Sequence, residues 1–131
     1  MIELPQSPTL PIHGVSNRFI LDAYNANPSS MKAAIENFAK MEGEKKVLIL
    51  GGMMELGNVS MAEHQSIIKV IDQYKWESVV LVGGDYNKLQ HHYINLENSS
   101  QAKNWFAQQQ FSNAQVLIKG SRSMQMEKVL N

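Results

Sequence analysis

The chain has 131 residues, 44% of them apolar and 18% charged, with 12 Lys+Arg against 12 Asp+Glu and no cysteine. That is the length of about one domain of ~150 residues, and the composition is that of a globular protein rather than a disordered chain. Zero net charge argues against a nucleic-acid binder, and the missing cysteines exclude a disulfide framework, a thiolate zinc site and a cysteine nucleophile.

No apolar run approaches the ~18 residues that a bilayer span needs. Met1–Pro5 lacks the basic start and apolar stretch of a signal peptide. The cytoplasm is therefore the expected location, with no membrane partner. Residues 1–14 hold three of the four prolines and no periodicity, which reads as an irregular arm or linker remnant ahead of a single domain over 15–131.

Arg18-Phe19-Ile20-Leu21-Asp22 is a short apolar run ending in an acid, a predicted buried strand. Asn27-Pro28 reads as a helix start, with Asn at the N-cap and Pro at the first helical position. Met31, Ala34, Ile35, Phe38 and Ala39 follow at helical spacing, and Gly43 closes the segment. Val47–Leu50 is a second strand, broken by Gly51-Gly52. Ser60-Met61-Ala62-Glu63 reads as a capping box, with Ile67, Val70, Ile71 and Tyr74 on one helical face.

Val79–Val82 is a third strand, ending at Gly83-Gly84. A short helix is expected around Tyr86–His91 and a short strand at Tyr93–Leu96. Ser99 or Ser100 is expected to cap a helix carrying Ala102, Trp105 and Phe106. Val116–Ile118 is a last strand, and Ser121 is expected to open a helix through Met124 and Leu130. Short strands without polar alternation are buried on both faces, which implies a mostly parallel sheet between helices, a Rossmann-like three-layer α/β sandwich. In such sheets ligands meet the loops at the carboxyl ends of the strands. Here those loops are Asp22–Asn27, Gly51–Gly57, Gly83–Asp85 and Lys119–Ser123.

Several chemistries are absent from these loops. There is no Gly-x-x-x-x-Gly-Lys-Ser/Thr and no Gly-x-Gly-x-x-Gly, which argues against independent ATP hydrolysis or dinucleotide chemistry. His91 and His92 are adjacent and would diverge by ~100° on a helix, so they do not share an ion. His64, directly after Glu63, reads as a partly exposed polar position. No metal site and no nucleophile–base pair is visible.

Three polar clusters remain. Asp22-Ala23-Tyr24-Asn25-Ala26-Asn27 puts an acid at a strand end and amides before a helix start. It suits ribose hydroxyls and an anion, or simply caps a strand-to-helix turn. Glu55 follows Gly51-Gly52-Met53-Met54 and is either a cleft acid or a solvated one. Lys119-Gly120-Ser121-Arg122 gathers two cations, a hydroxyl and free N–H groups at one helix start, a pattern for carboxylate or phosphate. Its bland alternative is two solvated cations in a loop.

Asp22–Met31, then Gly51-Gly52-Met53-Met54-Glu55-Leu56-Gly57 with Glu63-His64, then Lys119-Gly120-Ser121-Arg122-Ser123 with Met126-Glu127, resemble the C-terminal domain of the MurF-type Mur ligases. The resemblance covers residues 15–131. It implies one domain of a three-domain enzyme of peptidoglycan synthesis, which uses ATP to activate a UDP-MurNAc-tripeptide as an acyl phosphate and joins it to D-Ala-D-Ala. ATP and Mg2+ are then held mainly by a central P-loop domain. The isolated chain would be inactive, without a cofactor of its own, its protein partners being its upstream ligase domains. Separately, no long apolar edge or heptad is visible, which suggests a monomer. No catalytic residue is implied.

By the same resemblance, Asp22, Tyr24 and Asn25 border the nucleotide. Asn27, Glu55, Lys119, Ser121 and Arg122 face the substrate, with Lys119 and Arg122 toward the dipeptide carboxylate. The chain departs from the family pattern in carrying Gly52 where Asp is usual. Arg18 also fails to match an upstream arginine that helps hold the nucleotide, so the nucleotide half-site is expected to be incomplete. A Mur ligase adding a different amino acid and a freestanding nucleotide- or anion-binding module are the alternatives.

Overall fold

The computed structural model describes residues 2–4, 17–23 and 25–130. A six-stranded sheet forms the middle layer. Its strands are β1 (Ile2–Leu4), β2 (Arg18–Asp22), β3 (Lys46–Gly51), β4 (Ser78–Val82), β5 (Ile94–Leu96) and β6 (Gln115–Lys119), in the order β1-β2-β6-β3-β4-β5. All neighbours from β2 to β5 run parallel; β1 alone is antiparallel, paired to β2. The expected parallel α/β sandwich is therefore the observed one. Within the expected irregular arm, Ile2–Leu4 forms an edge strand; residues 5–14 of that arm lie outside the described residues.

Three helices cover the sheet: α1 (Pro28–Ala39), α2 (Ser60–Ile71) and α3 (Ser99–Gln109). Alternate residues of each central strand serve opposite layers. Ile20, Leu48, Leu50, Leu81 and Leu117 pack with Met31, Ile35 and Phe38 of α1 and Ile67, Ile68 and Ile71 of α2. Phe19, Val47, Ile49, Val80, Val82, Val116 and Ile118 pack with Ala102 of α3, Met126 and Val129. Burial on both faces is why β3 is buried at all six positions. Even Lys46 complies: its ammonium donates to the carbonyls of Ala39, at 2.7 Å, and Met41, at the C-terminal end of α1. A cation there suits the negative end of the helix dipole.

The start of α1 follows the sequence reading. Asn27 Oδ1 accepts the Ser30 N–H at 2.9 Å, Ser30 Oγ accepts the Asn27 N–H at 3.1 Å, and Pro28 takes the first helical position. Three other termini differ. Ser60 does not cap α2, because a 3-10 turn at Gly57–Val59 leads straight into the helix and Ser60 is already helical. Asn98, not Ser99 or Ser100, caps α3, with its Oδ1 accepting the Gln101 N–H at 2.9 Å. The chain after β6 forms two 3-10 turns, Arg122–Met124 and Met126–Val129, divided by Gln125 in the left-handed conformation, instead of one helix. Tertiary fit overrides propensity there: Met126, fully buried, lies over Gly51 and Gly120.

Residues 84–88 also form a 3-10 turn rather than a helix reaching His91, which places Tyr86 in the core beneath α2. No helix among the described residues is long and apolar enough to cross a membrane.

Candidate functional site

Because β6 lies between β2 and β3, the chain leaves adjacent strand ends toward opposite layers. From β2 it runs to α1; from β6 it runs to the turns beside α3. Such a divergence opens a crevice at the carboxyl edge of the sheet. A cleft of about 410 Å³ occupies that position, lined by Asn25 and Ala26 after β2, Met54 and Glu55 after β3, and Ser121, Arg122 and Ser123 after β6. Three of the four expected loops contribute, and Gly83–Asp85 does not.

Lys119 and Asp22 sit behind this cleft. Lys119 is 2% exposed, and its Nζ donates to Asp22 Oδ2 at 2.6 Å and to the Asn25 carbonyl at 2.9 Å. The backbone adds Gly120 N–H to the Asp22 carbonyl at 3.1 Å. Alternation places Leu117 and Lys119 on the α1 side of β6, as it places Ile20 and Asp22 on the α1 side of β2, so the two charges meet by register. Lys119 thus holds the β2 loop in place, where the sequence reading had it facing a ligand.

The β3 loop is held from three directions. Gly52 N–H donates to the Val82 carbonyl at 2.9 Å, Met53 N–H to His64 Nε2 at 3.0 Å, and Met54 N–H to Ser121 Oγ at 2.9 Å. Glu55 follows with a φ of 63°, left-handed, in which a non-glycine residue is uncommon. His64 is fully buried, which corrects the expectation of partial exposure. Its Nδ1 lies 2.8 Å from the Ser60 carbonyl, and the Tyr86 ring stands edge-on at 4.6 Å. Burial pushes the Tyr86 phenol above its ordinary ionisation range. Asp85 is held below the usual carboxylate range, first by the Ser60 hydroxyl and then by Lys88.

Of the residues expected at a site, Asn25, Glu55, Ser121 and Arg122 come together on the cleft wall. Asp22 and Lys119 form the pair behind it. The Asn27 side chain is engaged as the α1 cap, and Tyr24 lies outside the described residues. Ala26, Met54 and Ser123 join the wall without having been singled out, and His64 acts from beneath it. Position next to a polar cluster was the one available signal for these neighbours. Among the described residues no three His, Cys, Asp or Glu side chains gather as a metal site.

Comparison with known proteins agrees with the fold. Residues 11–122 match the family "Mur ligase, glutamate ligase domain". The UDP-N-acetylmuramoyl-tripeptide–D-alanyl-D-alanine ligase of Rickettsia prowazekii is 32% identical over 126 residues, covering 88% of this chain and 27% of that protein. The Escherichia coli ligase of the same name is 34% identical over 128 residues, covering 92% of this chain and 28% of that protein. Among solved structures, MurF from Acinetobacter baumannii superposes with a TM-score of 0.69 at 28% identity, over 86% of this chain and 27% of that one. The MurF ligase of Thermotoga maritima, solved with ADP, shares the fold with a TM-score of 0.74 at 23% identity, over 92% of this chain and 28% of its own. The chain spans about a quarter of the length of these relatives. It belongs to the Mur ligase, glutamate ligase domain family.

Proposed function

We propose that the chain is the C-terminal, substrate-clamping domain of an ATP-dependent ligase that joins D-alanyl-D-alanine to a UDP-MurNAc-tripeptide. The observation that carries this reading is the cleft at the carboxyl ends of β2, β6 and β3. Its polar wall of Asn25, Glu55, Ser121 and Arg122 falls within residues 11–122, the stretch that matches the Mur ligase, glutamate ligase domain. The working unit is residues 15–131, a monomer in the cytoplasm. ATP, Mg2+ and the phosphate-wrapping loop belong to the upstream domains of a longer chain.

Each wall residue has a chemical part in this reading. Arg122 pairs with the dipeptide carboxylate. Ser121 Oγ already accepts the Met54 N–H, so its own proton is left to donate toward an acceptor in the cleft. Asn25 and Asp22 border the ribose, Asp22 from the end of β2 where Lys119 holds it. Asn27 sets the start of α1 next to them. Glu55 faces the ammonium end of the incoming dipeptide, opposite in sign to Arg122.

ATP supplies the activation: its γ-phosphoryl group passes to the tripeptide carboxylate, giving an acyl phosphate and ADP. The dipeptide amine then attacks the acyl carbon, phosphate leaves, and the ammonium proton is lost to solvent. The domain contributes orientation and water exclusion, effects that reach several kcal/mol when a nucleophile is held in line. It contributes no group that forms or breaks a bond.

The test is an ATP-dependent ligation assay with UDP-MurNAc-tripeptide and D-alanyl-D-alanine. It is run on this chain alone and on the chain fused in place of the C-terminal domain of the Escherichia coli relative. Activity from the fusion only is the expected result. No activity from a fusion that still binds ATP would overturn the reading.

A further inference from the structure

Among the described residues His64 is the one fully buried imidazole, its ring edge-on to Tyr86 and against the Met53 amide. A polar ring in such surroundings is costly unless both nitrogens are satisfied. Both are, most closely by backbone groups of different origin, with Ser60 Oγ a further 3.3 Å neighbour of Nδ1. Ser60 C=O, one turn earlier in α2, faces Nδ1 at 2.8 Å; Met53 N–H, from the loop after β3, faces Nε2 at 3.0 Å. A carbonyl accepts and an amide donates, so Nδ1 must carry the proton and Nε2 the lone pair.

The segment so held is irregular. Gly52, Met53 and Met54 send their N–H groups to β4, to α2 and to the loop after β6, respectively. Directly after them Glu55 takes its left-handed conformation and joins the cleft wall with Met54. A strained non-glycine residue persists only where its surroundings over-determine it, and such positions concentrate at ligand sites. Of the restraints on this segment, those of Gly52 are backbone to backbone, to Val82 and at 3.3 Å from the Ser121 N–H, and that of Met54 comes from a wall residue itself. His64 supplies the only side-chain restraint from outside the wall among the described residues.

We propose that His64 is a positioning residue. As the Nδ1–H tautomer it bridges the Ser60 carbonyl to the Met53 amide, fixing the Met53–Glu55 segment and so the β3 side of the ligand cleft. The inference rests on the reading of that cleft as a ligand site. It assigns His64 no contact with ligand; its effect reaches the cleft through Met53, Met54 and Glu55.

The experiment uses the 131-residue chain, with D-alanyl-D-alanine as the probe. Long-range proton–nitrogen NMR should show a protonated Nδ1 and a bare Nε2 at His64; the opposite tautomer overturns the proposal. His64→Leu should speed exchange of the Met53 amide by about tenfold while the β3 and β6 amides stay protected, and should weaken dipeptide binding by about fivefold. His64→Gln, whose Oε1 can take the place of Nε2, should restore both to within about twofold. Unchanged Met53 exchange and binding in a folded His64→Leu protein would overturn the proposal. So would equal losses in the Gln and Leu variants, the mark of a packing role alone. Should His64→Leu not fold, the tautomer and the His64→Gln measurements decide. If the unaltered chain binds no dipeptide while the tautomer and Met53 protection are as expected, the ligand reading fails and the tether stands.

Discussion

Asp22 and Lys119 are register partners at the ends of two parallel strands, and their side chains close the pair at 2.6 Å with Lys119 2% exposed. The third partner, the Asn25 carbonyl, belongs to the cleft wall. One buried ammonium thus ties together the two strand ends and the loop between β2 and α1. Removing one member of a buried pair strands the other, at a cost of about 3–5 kcal/mol. Lys119→Met should destabilise the fold by about 3 kcal/mol, the lower end of that range, since Asp22 keeps some contact with water. Urea unfolding of the two proteins checks this.

Arg122 provides the contrast, since it is exposed on the cleft wall. On the proposed function, Arg122→Ala in the fused ligase should lower kcat/KM for D-alanyl-D-alanine by a factor equivalent to about 1.5–3 kcal/mol, as for a charged hydrogen bond. The melting temperature should stay nearly unchanged. A specificity constant equal to that of the unaltered enzyme removes Arg122 from the substrate site.

Gly52 and Gly84 touch back to back where the β3 and β4 loops cross. A Cβ on Gly52 would lie 2.6 Å from Gly84 Cα, and one on Gly84 2.7 Å from Gly52 Cα. The obstacle is backbone, so it cannot rotate aside. Gly52→Ala should cost about 1–3 kcal/mol as an overpacking change. Gly52→Asp, with a larger side chain at the same Cβ, should cost no less. Thermal unfolding of both variants checks the expectation.

Tyr86 is buried with its hydroxyl unpartnered among the described residues. Tyr86→Phe removes an unsatisfied polar atom, so stability at neutral pH should hold or rise by about 1 kcal/mol. Burial also raises the phenol above its ordinary value of 10.0. A folded-state value above the unfolded one means stability intact below pH 10 and lost as the pH rises past it, while the unfolded chain ionises first. Tyr86→Phe should therefore flatten the alkaline limb of the stability–pH curve. Tyr93, raised by burial and by its hydrogen bond to Asp72, adds to the same limb.

The layers of this fold are legible in the sequence because strands buried on both faces read as unbroken apolar runs. Phe19–Leu21, Val47–Leu50, Val79–Val82 and Val116–Ile118 each appear within one or two residues of their observed bounds. Asn27-Pro28 announces α1 because cap and proline act locally. What depends on distant partners is not legible. Ser60 looks like a cap, but its carbonyl faces a histidine one turn later, and the break at Gln125 exists because Met126 reaches the glycines of two strand ends.

The same division runs through the site. The three loops that line the cleft were legible. The fourth, Gly83–Asp85, was expected there but is not, since strand carboxyl ends point to the edge of the sheet but not to every loop on it. The parts played within one loop were not. Lys119 and Arg122 are three residues apart in a single motif, yet one is the last residue of a strand, aimed at its neighbour's carboxylate, and the other has left the sheet. Strand parity and register decide that, and neither is visible without the partner strand.

The insertion of β6 between β2 and β3 has a consequence for how the protein is made. Asp22 and Lys119 are separated by 97 positions in the chain. During synthesis β2 and β3 emerge well before β6 and face a gap that only β6 fills, leaving two unpaired edges until residue 119 is out. Pairings of such long sequence separation form slowly, and open edges in the interval invite contact with other nascent chains. The sheet of this domain therefore closes only once β6 is available. A chain cut short before residue 115 should aggregate rather than wait.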